Sequence, residues 1–352
     1  MKAKLCSWKD VDEAVKALQD GALVAFPTET VYGLGAIASS KEAFDRLVEA
    51  KRRPADKPFT LMVSSLAEIA MFAEINAQIV AVAKKFMPGP LTLLLKARKG
   101  IPSHIDLGTG VIGVRFPDDE NVANLIEKVG CPLLVPSANR SGEKPLTSGK
   151  EVHREFLNEA CIVFDGEIQG GVPSTIVDLS KPGEISLIRQ GNLPFASIEE
   201  EFNNFVPQRI ALASDHGGFA YKEKAKIHLR EQGHEVIDFG CDSSSSCDYP
   251  LFAFAAAKAV ARKECEKGIL VCTSGEGISM AANKIKGIRC GIGYDDVATG
   301  KTVEHNHANM IAFGQKYMKE EDVLRRIDIF LIEKPSKLEK HARRVHEIEE
   351  AE

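Results

Sequence analysis

From Arg209 to Tyr294, apolar β-branched runs alternate with helix-compatible segments. The order is strand 209–214 (RIALAS), a helix from Phe219 to Gln232, HEVIDFG, a helix from Pro250 to Lys263, GILVC, a helix from Gly277, then RCGIGY. Strands separated by helices cannot pair through tight turns, so this alternation predicts a parallel sheet with helices on both faces. It also fixes where chemistry belongs, because ligands of open parallel sheets bind beyond the carboxyl ends of the strands. The first half is less regular. Short strands such as LVAFPT, FTLMVS, LTLLLKA, IGVRF and LLVPSA lie among helices starting at Val11 and Lys41, which predicts α+β or mixed α/β packing around a twisted sheet. Between the halves, SIEEEFNNFVPQR (197–209) loses apolar periodicity, clusters acids and places a proline before the next strand. The expected domains are 1–200 and 207–352.

A chain of 352 residues has room for two ordinary cores. Its net charge of -5 excludes a role in coating nucleic acid wholesale but permits a local basic cleft. Eight cysteines without a CxxC pair, and no secretory apolar segment after MKAKLCSWKD, predict free thiols in the cytoplasm. The longest apolar stretch, LFAFAAAKAVA, is interrupted by Lys258 and too short to span a bilayer, so no membrane partner is expected. There is no internal repeat, and the serine run 243–246 reads as a loop.

GILVCTSGEGIS delivers Cys272 to a Gly-Ser loop that opens a helix. Unpaired amides at such a helix start attract oxyanions and favour thiolate, making Cys272 a candidate base; a small buried cysteine ending a core strand fits equally well. ASDHGG and CDYP follow the first two strands, so Asp215, His216 and Tyr249 are expected to converge with Cys272 on one crevice. Singly, Asp215 reads as a helix cap and Tyr249 as a half-buried aromatic. His305 and His307 form HxH, which would alternate on a strand, but no ligand set at zinc-like spacing accompanies them, and no metal is expected. The basic tail KLEKHARRVHEIEE is either a solvated helix face or a phosphate site using Lys340, His341 and Arg344.

In order, DHGGF, DYP, GILVCTSGEGISMAANK, GIR and HNHANMIAFG resemble the ribose-5-phosphate isomerase type B family (RpiB and LacAB) over nearly all of 208–348. The resemblance implies a Rossmann-like doubly wound sheet and metal-free aldose–ketose isomerisation of a sugar phosphate through an enediolate. It makes Cys272 the proton-transferring group and His305 the ring-opening one. Ser274 stands where threonine is usual, beside the amides of Gly275 to Gly277 that would face the enediolate. Asp215, His216 and Asn306 match substrate-binding positions, and Tyr249 a pocket wall. Lys316 and Lys340 replace arginines while Arg344 is retained, so a ribose 5-phosphate and a hexose 6-phosphate both stay open. The resemblance also implies a homodimer through this domain.

In the first half, GALVAFPTETVYGLG runs from a strand into a hydroxyl-rich turn, KRRPADKPF sets four cations among prolines, and VPSANRSG ends a strand in small polar residues. The cation cluster suits a polyphosphate; the Asn/Ser/Gly turn is ordinary by itself. Together with PGPLTLLL, IGVRFP and GGVPSTIVDL, these motifs resemble the YrdC family of threonylcarbamoyl-AMP synthases from about Val11 to Leu193. The resemblance implies a twisted mixed sheet and an α/β fold. The implied reaction joins ATP, bicarbonate and L-threonine, with Mg²⁺ arriving on ATP, and its product serves tRNA threonylcarbamoyladenosine modification. Thr28 and Thr30 would handle threonine, and Lys51, Arg52 and Lys57 the triphosphate. Arg115, Ser137 and Asn139 would form the central cleft, and Ser174, Thr175 and Arg189 the nucleotide side. The expectation is a bifunctional enzyme. Its rival keeps one half as an oligomerising module or one that grips double-stranded RNA or tRNA through phosphates.

Overall fold

The computed structural model describes residues 2–54, 57–168 and 171–351. Its contacts divide the chain into two units, one of Met1–Glu74 with Lys85–Asn203, the other of Ile75–Lys84 with Asn204–Glu352. Both are α/β, as expected.

The first unit is built on a ten-stranded sheet. Its strands run in the order Lys4–Cys6, Ala160–Phe164, Leu23–Phe26, Gly33–Ile37, Leu133–Leu134, Leu61–Met62, Val111–Arg115, Leu91–Lys96, Thr175–Asp178 and Ser186–Arg189. Parallel and antiparallel pairings are interspersed, the mixed sheet expected. Leu23–Phe26 is buried on both faces, which explains its unbroken apolar run. Helices cover the sheet with marked caps. Ser40 caps Lys41–Lys51, which ends on Arg52 in the left-handed region at φ 49°, and Asp119 caps Glu120–Val129, which ends on Gly130. The 197–209 stretch differs from expectation: its first part belongs to a helix, Phe195–Asn203, in which Ile198 and Phe202, four residues apart, are buried.

The second unit holds a five-stranded sheet ordered Glu235–Asp238, Arg209–Ser214, Lys267–Cys272, Met310–Gly314 and Cys290–Ile292. All its pairings are parallel. Met310–Gly314 is a fifth strand that the sequence reading missed, and it inserts between the third and fourth. The period-two pattern loads both faces. Ala211, Ala213, Leu270, Cys272 and Ala312 pack with Ala253, Ala256, Ile278 and Ala282 on one side. Ile210, Leu212, Ile269, Val271, Ile311 and Phe313 pack with Leu229, Val303 and Ile327 on the other. Strand order reverses direction between Arg209–Ser214 and Lys267–Cys272, the position at which ligands of open parallel sheets bind.

Lys222 is fully enclosed; its Nζ donates to Asp238 Oδ1 and Oδ2 at 2.9 and 2.8 Å and to the Cys241 carbonyl at 2.7 Å. Lys226 adds a bond to Asp238 at 2.8 Å. Burial raises the Asp238 carboxyl, but the hydrogen bonds from Lys222 and Lys226 outweigh it and leave its pKa below the ordinary 3.8. A depressed carboxylate stabilises the fold above the unfolded value and loses that contribution as pH falls through the folded one. Stability measured by urea unfolding is therefore expected to fall on acidification below pH 3.8, and Asp238→Asn to lower stability at pH 7 and flatten this acid limb. A limb unchanged in the variant would remove Asp238 from the account. At Gly218, a Cβ would stand 2.3 Å from the Val271 carbonyl oxygen and 2.8 Å from the Cys272 nitrogen. Gly218→Ala is expected to cost about 1–3 kcal/mol in the same unfolding assay.

Candidate active sites

In the second unit, Cys272 ends its strand with 4% of its surface exposed. The next residues turn back so that the Gly275 N–H donates to Cys272 Sγ at 3.1 Å, with Gly275 at φ 86° before the helix Glu276–Ala282. That left-handed conformation suits glycine. The Glu276 N–H donates to Ser274 Oγ at 3.3 Å. Of the amides expected to face an enediolate, Gly275's is thus directed at the sulfur. The neighbouring strand end fixes this loop from the other side. The Gln315 N–H donates to the Cys272 carbonyl at 2.9 Å and that of Lys316 to the Thr273 carbonyl at 3.1 Å, while a Cβ on Gly314 would fall 2.4 Å from the Ser274 oxygen.

Asp215 and His216 follow the first strand across the crevice. The buried Asp215 accepts the Gly218 N–H at 3.0 Å, the local cap foreseen as its alternative role. His216 Nδ1 lies 3.2 Å from both the amide nitrogen and the carbonyl oxygen of Cys247. Tyr249 stands beside Gly277, whose added Cβ would meet its ring at 2.9 Å. Ser274 and Asn306 line an open groove of about 940 Å³ with Glu276, Tyr294, Lys301 and Tyr317.

His305 belongs to a second cluster. It lies on the helix Asp296–Asn306, and His307 is that helix's left-handed cap at φ 50°. The HxH pair therefore does not alternate on a strand, because His305 lies in the helix and His307 closes it. The His305 ring sits 4.2 Å from that of His341 on the terminal helix Glu339–Glu350. Burial, then the neighbouring His305, Lys340 and Arg344, hold the His341 imidazole below its usual value. Lys340 and Arg344 are exposed. Among the described residues, no group of three or more His, Cys, Asp or Glu is placed to hold a metal ion.

In the first unit, a cavity of about 700 Å³ brings together Thr28, Arg115, Ser137, Asn139, Ser174 and Arg189. Thr28 Oγ1 lies 3.1 Å from Thr30 Oγ1, which accepts from Arg115 Nη2 at 2.7 Å. Arg189 Nη2 donates to the Ser174 carbonyl at 2.9 Å. Thr175 turns away, its hydroxyl donating to the Leu193 carbonyl at 2.6 Å. Lys51 is also turned inward: its Nζ donates to the carbonyls of Ser137 and Asn139, and burial followed by the nearby Arg53 and Arg140 lowers it to about 8. Arg52 and Lys57 are exposed and do not line the cavity; Ala55 and Asp56 of the same motif lie outside the described residues. The basic wall of the cavity instead includes Arg53, which the sequence reading passed over, along with Glu143 and Thr92. The signal lay inside the KRRP run, but the left-handed turn at Arg52 decides which cation faces inward.

Residues 16–191 match the Sua5/YciO/YrdC family model, described as "Telomere recombination". Residues 210–348 match the LacAB/RpiB model, described as "Ribose/Galactose Isomerase". A threonylcarbamoyl-AMP synthase of Pyrococcus abyssi is 40% identical over 202 residues, 57% of this chain and 59% of that protein, so the chain spans less than two thirds of that relative. A Bacillus subtilis protein named "Putative sugar phosphate isomerase YwlF" is 44% identical over 109 residues, 31% of this chain and 73% of that one. A solved structure of P. abyssi Sua5 aligns with a TM-score of 0.53 and 28% identity, covering 78% of this chain and 92% of the other. The two family spans contain the motifs that build the two sites, and the chain belongs to the Sua5/YciO/YrdC family through its first half and to the ribose/galactose isomerase family through its second.

Proposed function

We propose that the chain is a bifunctional enzyme, forming threonylcarbamoyl-AMP in its first unit and isomerising ribose 5-phosphate to ribulose 5-phosphate in its second. The synthase reading is carried by Arg53, Arg115 and Arg189 lining one cavity with hydroxyl and amide side chains. Three guanidiniums suit a polyanionic nucleotide and an amino-acid carboxylate. Threonine's amine would condense with bicarbonate to a carbamate with loss of water, and the carbamate oxygen would attack the α-phosphorus of ATP. Pyrophosphate then leaves with its charge met by the arginines. Mg²⁺ would enter with the nucleotide; among the described residues lining the cavity Glu143 is the one carboxylate, a donor set that fits a metal carried in on phosphate oxygens.

The isomerase reading is carried by Cys272, whose sulfur accepts an amide hydrogen bond at the carboxyl edge of the sheet. The thiolate would remove the C2 proton of the open-chain aldose and return it to C1, with Ser274 beside the enediolate. Asp215, His216 and Asn306 would bind the sugar, and His305 would open its ring. Exposed Tyr294, Val297, Met280 and Tyr317 fit a second copy of the chain, the homodimer this reading includes. All eight cysteines are free, the usage of a reducing cytoplasm; no helix among the described residues is long and apolar enough to cross a membrane.

The deciding measurement is the initial isomerisation rate on ribose 5-phosphate for wild type and Cys272→Ala. The expected outcome is loss of isomerisation in the variant with threonine-dependent pyrophosphate release intact. A folded variant that keeps its isomerisation rate would sink the assignment, and a wild type inactive on ribose 5-phosphate but active on a hexose 6-phosphate would change the substrate. In the synthase half, Arg53→Ala is expected to weaken ATP binding roughly tenfold by calorimetry; equal affinity would take Arg53 out of the nucleotide site.

A further inference from the structure

Arg115 ends the strand Val111–Arg115 with its side chain only 6% exposed. Its Nη2 hydrogen is given to Thr30 Oγ1 at 2.7 Å, while the same nitrogen lies 2.8 Å from Glu29 Oε1. Both Glu29 carboxylate oxygens are buried without a hydrogen-bond partner, as is Arg115 Nε. The two groups are therefore held by charge more than by aligned hydrogen bonds. A buried carboxylate in this condition is costly unless a cation faces it, and the same holds for the guanidinium.

Arg189 lies on the same cavity, and burial together with the Arg115 charge lowers its pKa below the ordinary arginine value. Two mutually repelling guanidiniums thus share one concavity, and Glu29 supplies a countercharge from behind. Asp119, whose carboxyl is raised first by burial and also by Glu29, is a further acid close enough to feel it. Glu29 is not among the residues lining the cavity. Its influence passes through Arg115 and Thr30.

We propose that Glu29 is a positioning residue of the synthase site, fixing the orientation and effective charge of Arg115 and so setting affinity for the anionic group Arg115 receives. That group is a carboxylate or a phosphate. The proposal rests on the threonylcarbamoyl-AMP reading of this cavity.

The test compares threonine- and ATP-dependence of pyrophosphate release in wild type, Glu29→Gln and Glu29→Asp, with thermal unfolding as a check on folding. Glu29→Gln is expected to raise one KM roughly tenfold with kcat within about twofold, and Glu29→Asp to recover part of the loss. A rise confined to threonine assigns Arg115 to the carboxylate, and one confined to ATP assigns it to phosphate. Unchanged KM values in a folded, active Glu29→Gln overturn the proposal; so does a fall in kcat alone. If Glu29→Gln does not fold, Glu29→Asp decides by the same criteria. A wild type that releases no pyrophosphate with threonine is a separate failure, of the synthase reading itself. Calorimetry with inorganic pyrophosphate then decides, and equal affinity in wild type and variant overturns the role of Glu29.

Discussion

The carboxyl edge of the five-stranded sheet depends on backbone approaching backbone more closely than any side chain would permit. Gly218 rests on the Val271 carbonyl, Gly275 on the peptide between Phe313 and Gly314, and Gly314 on Ser274. Each contact joins a loop from one strand end to its neighbour. Together they bring the Asp215 turn, the Cys272 loop and the segment following Met310–Gly314 into one rigid rim. The hydrogen bond to the Cys272 sulfur exists only because Gly275 takes the left-handed turn that this rim leaves room for. The shape of this rim therefore rests on missing Cβ atoms as much as on the side chains that remain.

The parallel sheet was legible because strands and helices alternate from Arg209 onward. Met310–Gly314 was not legible as a strand. It follows a helix closed by the left-handed His307, and its place in the middle of the sheet comes from pairing with Lys267–Cys272 and Cys290–Ile292, far away in sequence. Six cavity residues of the first unit were named in advance, five from four separated motifs and Arg189 from beyond them. The basic run divides in a way the sequence did not show: Arg53 lines the cavity, Lys51 turns to backbone carbonyls, and Arg52 and Lys57 are exposed. Three consecutive cations carry no periodic signal, and their directions follow from where the helix Lys41–Lys51 stops.

Lys51 shows what that stop accomplishes. Its ammonium ties the helix end to the carbonyls of Ser137 and Asn139, the turn that supplies two side chains to the cavity. Arg140, in the same turn, donates to the Ala50 carbonyl and to Glu155 and Glu159. The wall of the cavity is thus held from behind by buried cations, leaving Arg53, Arg115 and Arg189 to the side that a ligand meets.

The depth of Cys272 also bears on how the chain withstands oxidants. Cys272 is 4% exposed and belongs to the same buried cluster as Leu270, Ile278 and Ala281, whereas Cys131, Cys161 and Cys247 are partly open to solvent. Sulfur oxidation follows exposure as well as thiolate character. By exposure, those three thiols meet a bulky oxidant before Cys272 does, while burial raises the Cys131 and Cys247 thiols and so slows their own oxidation.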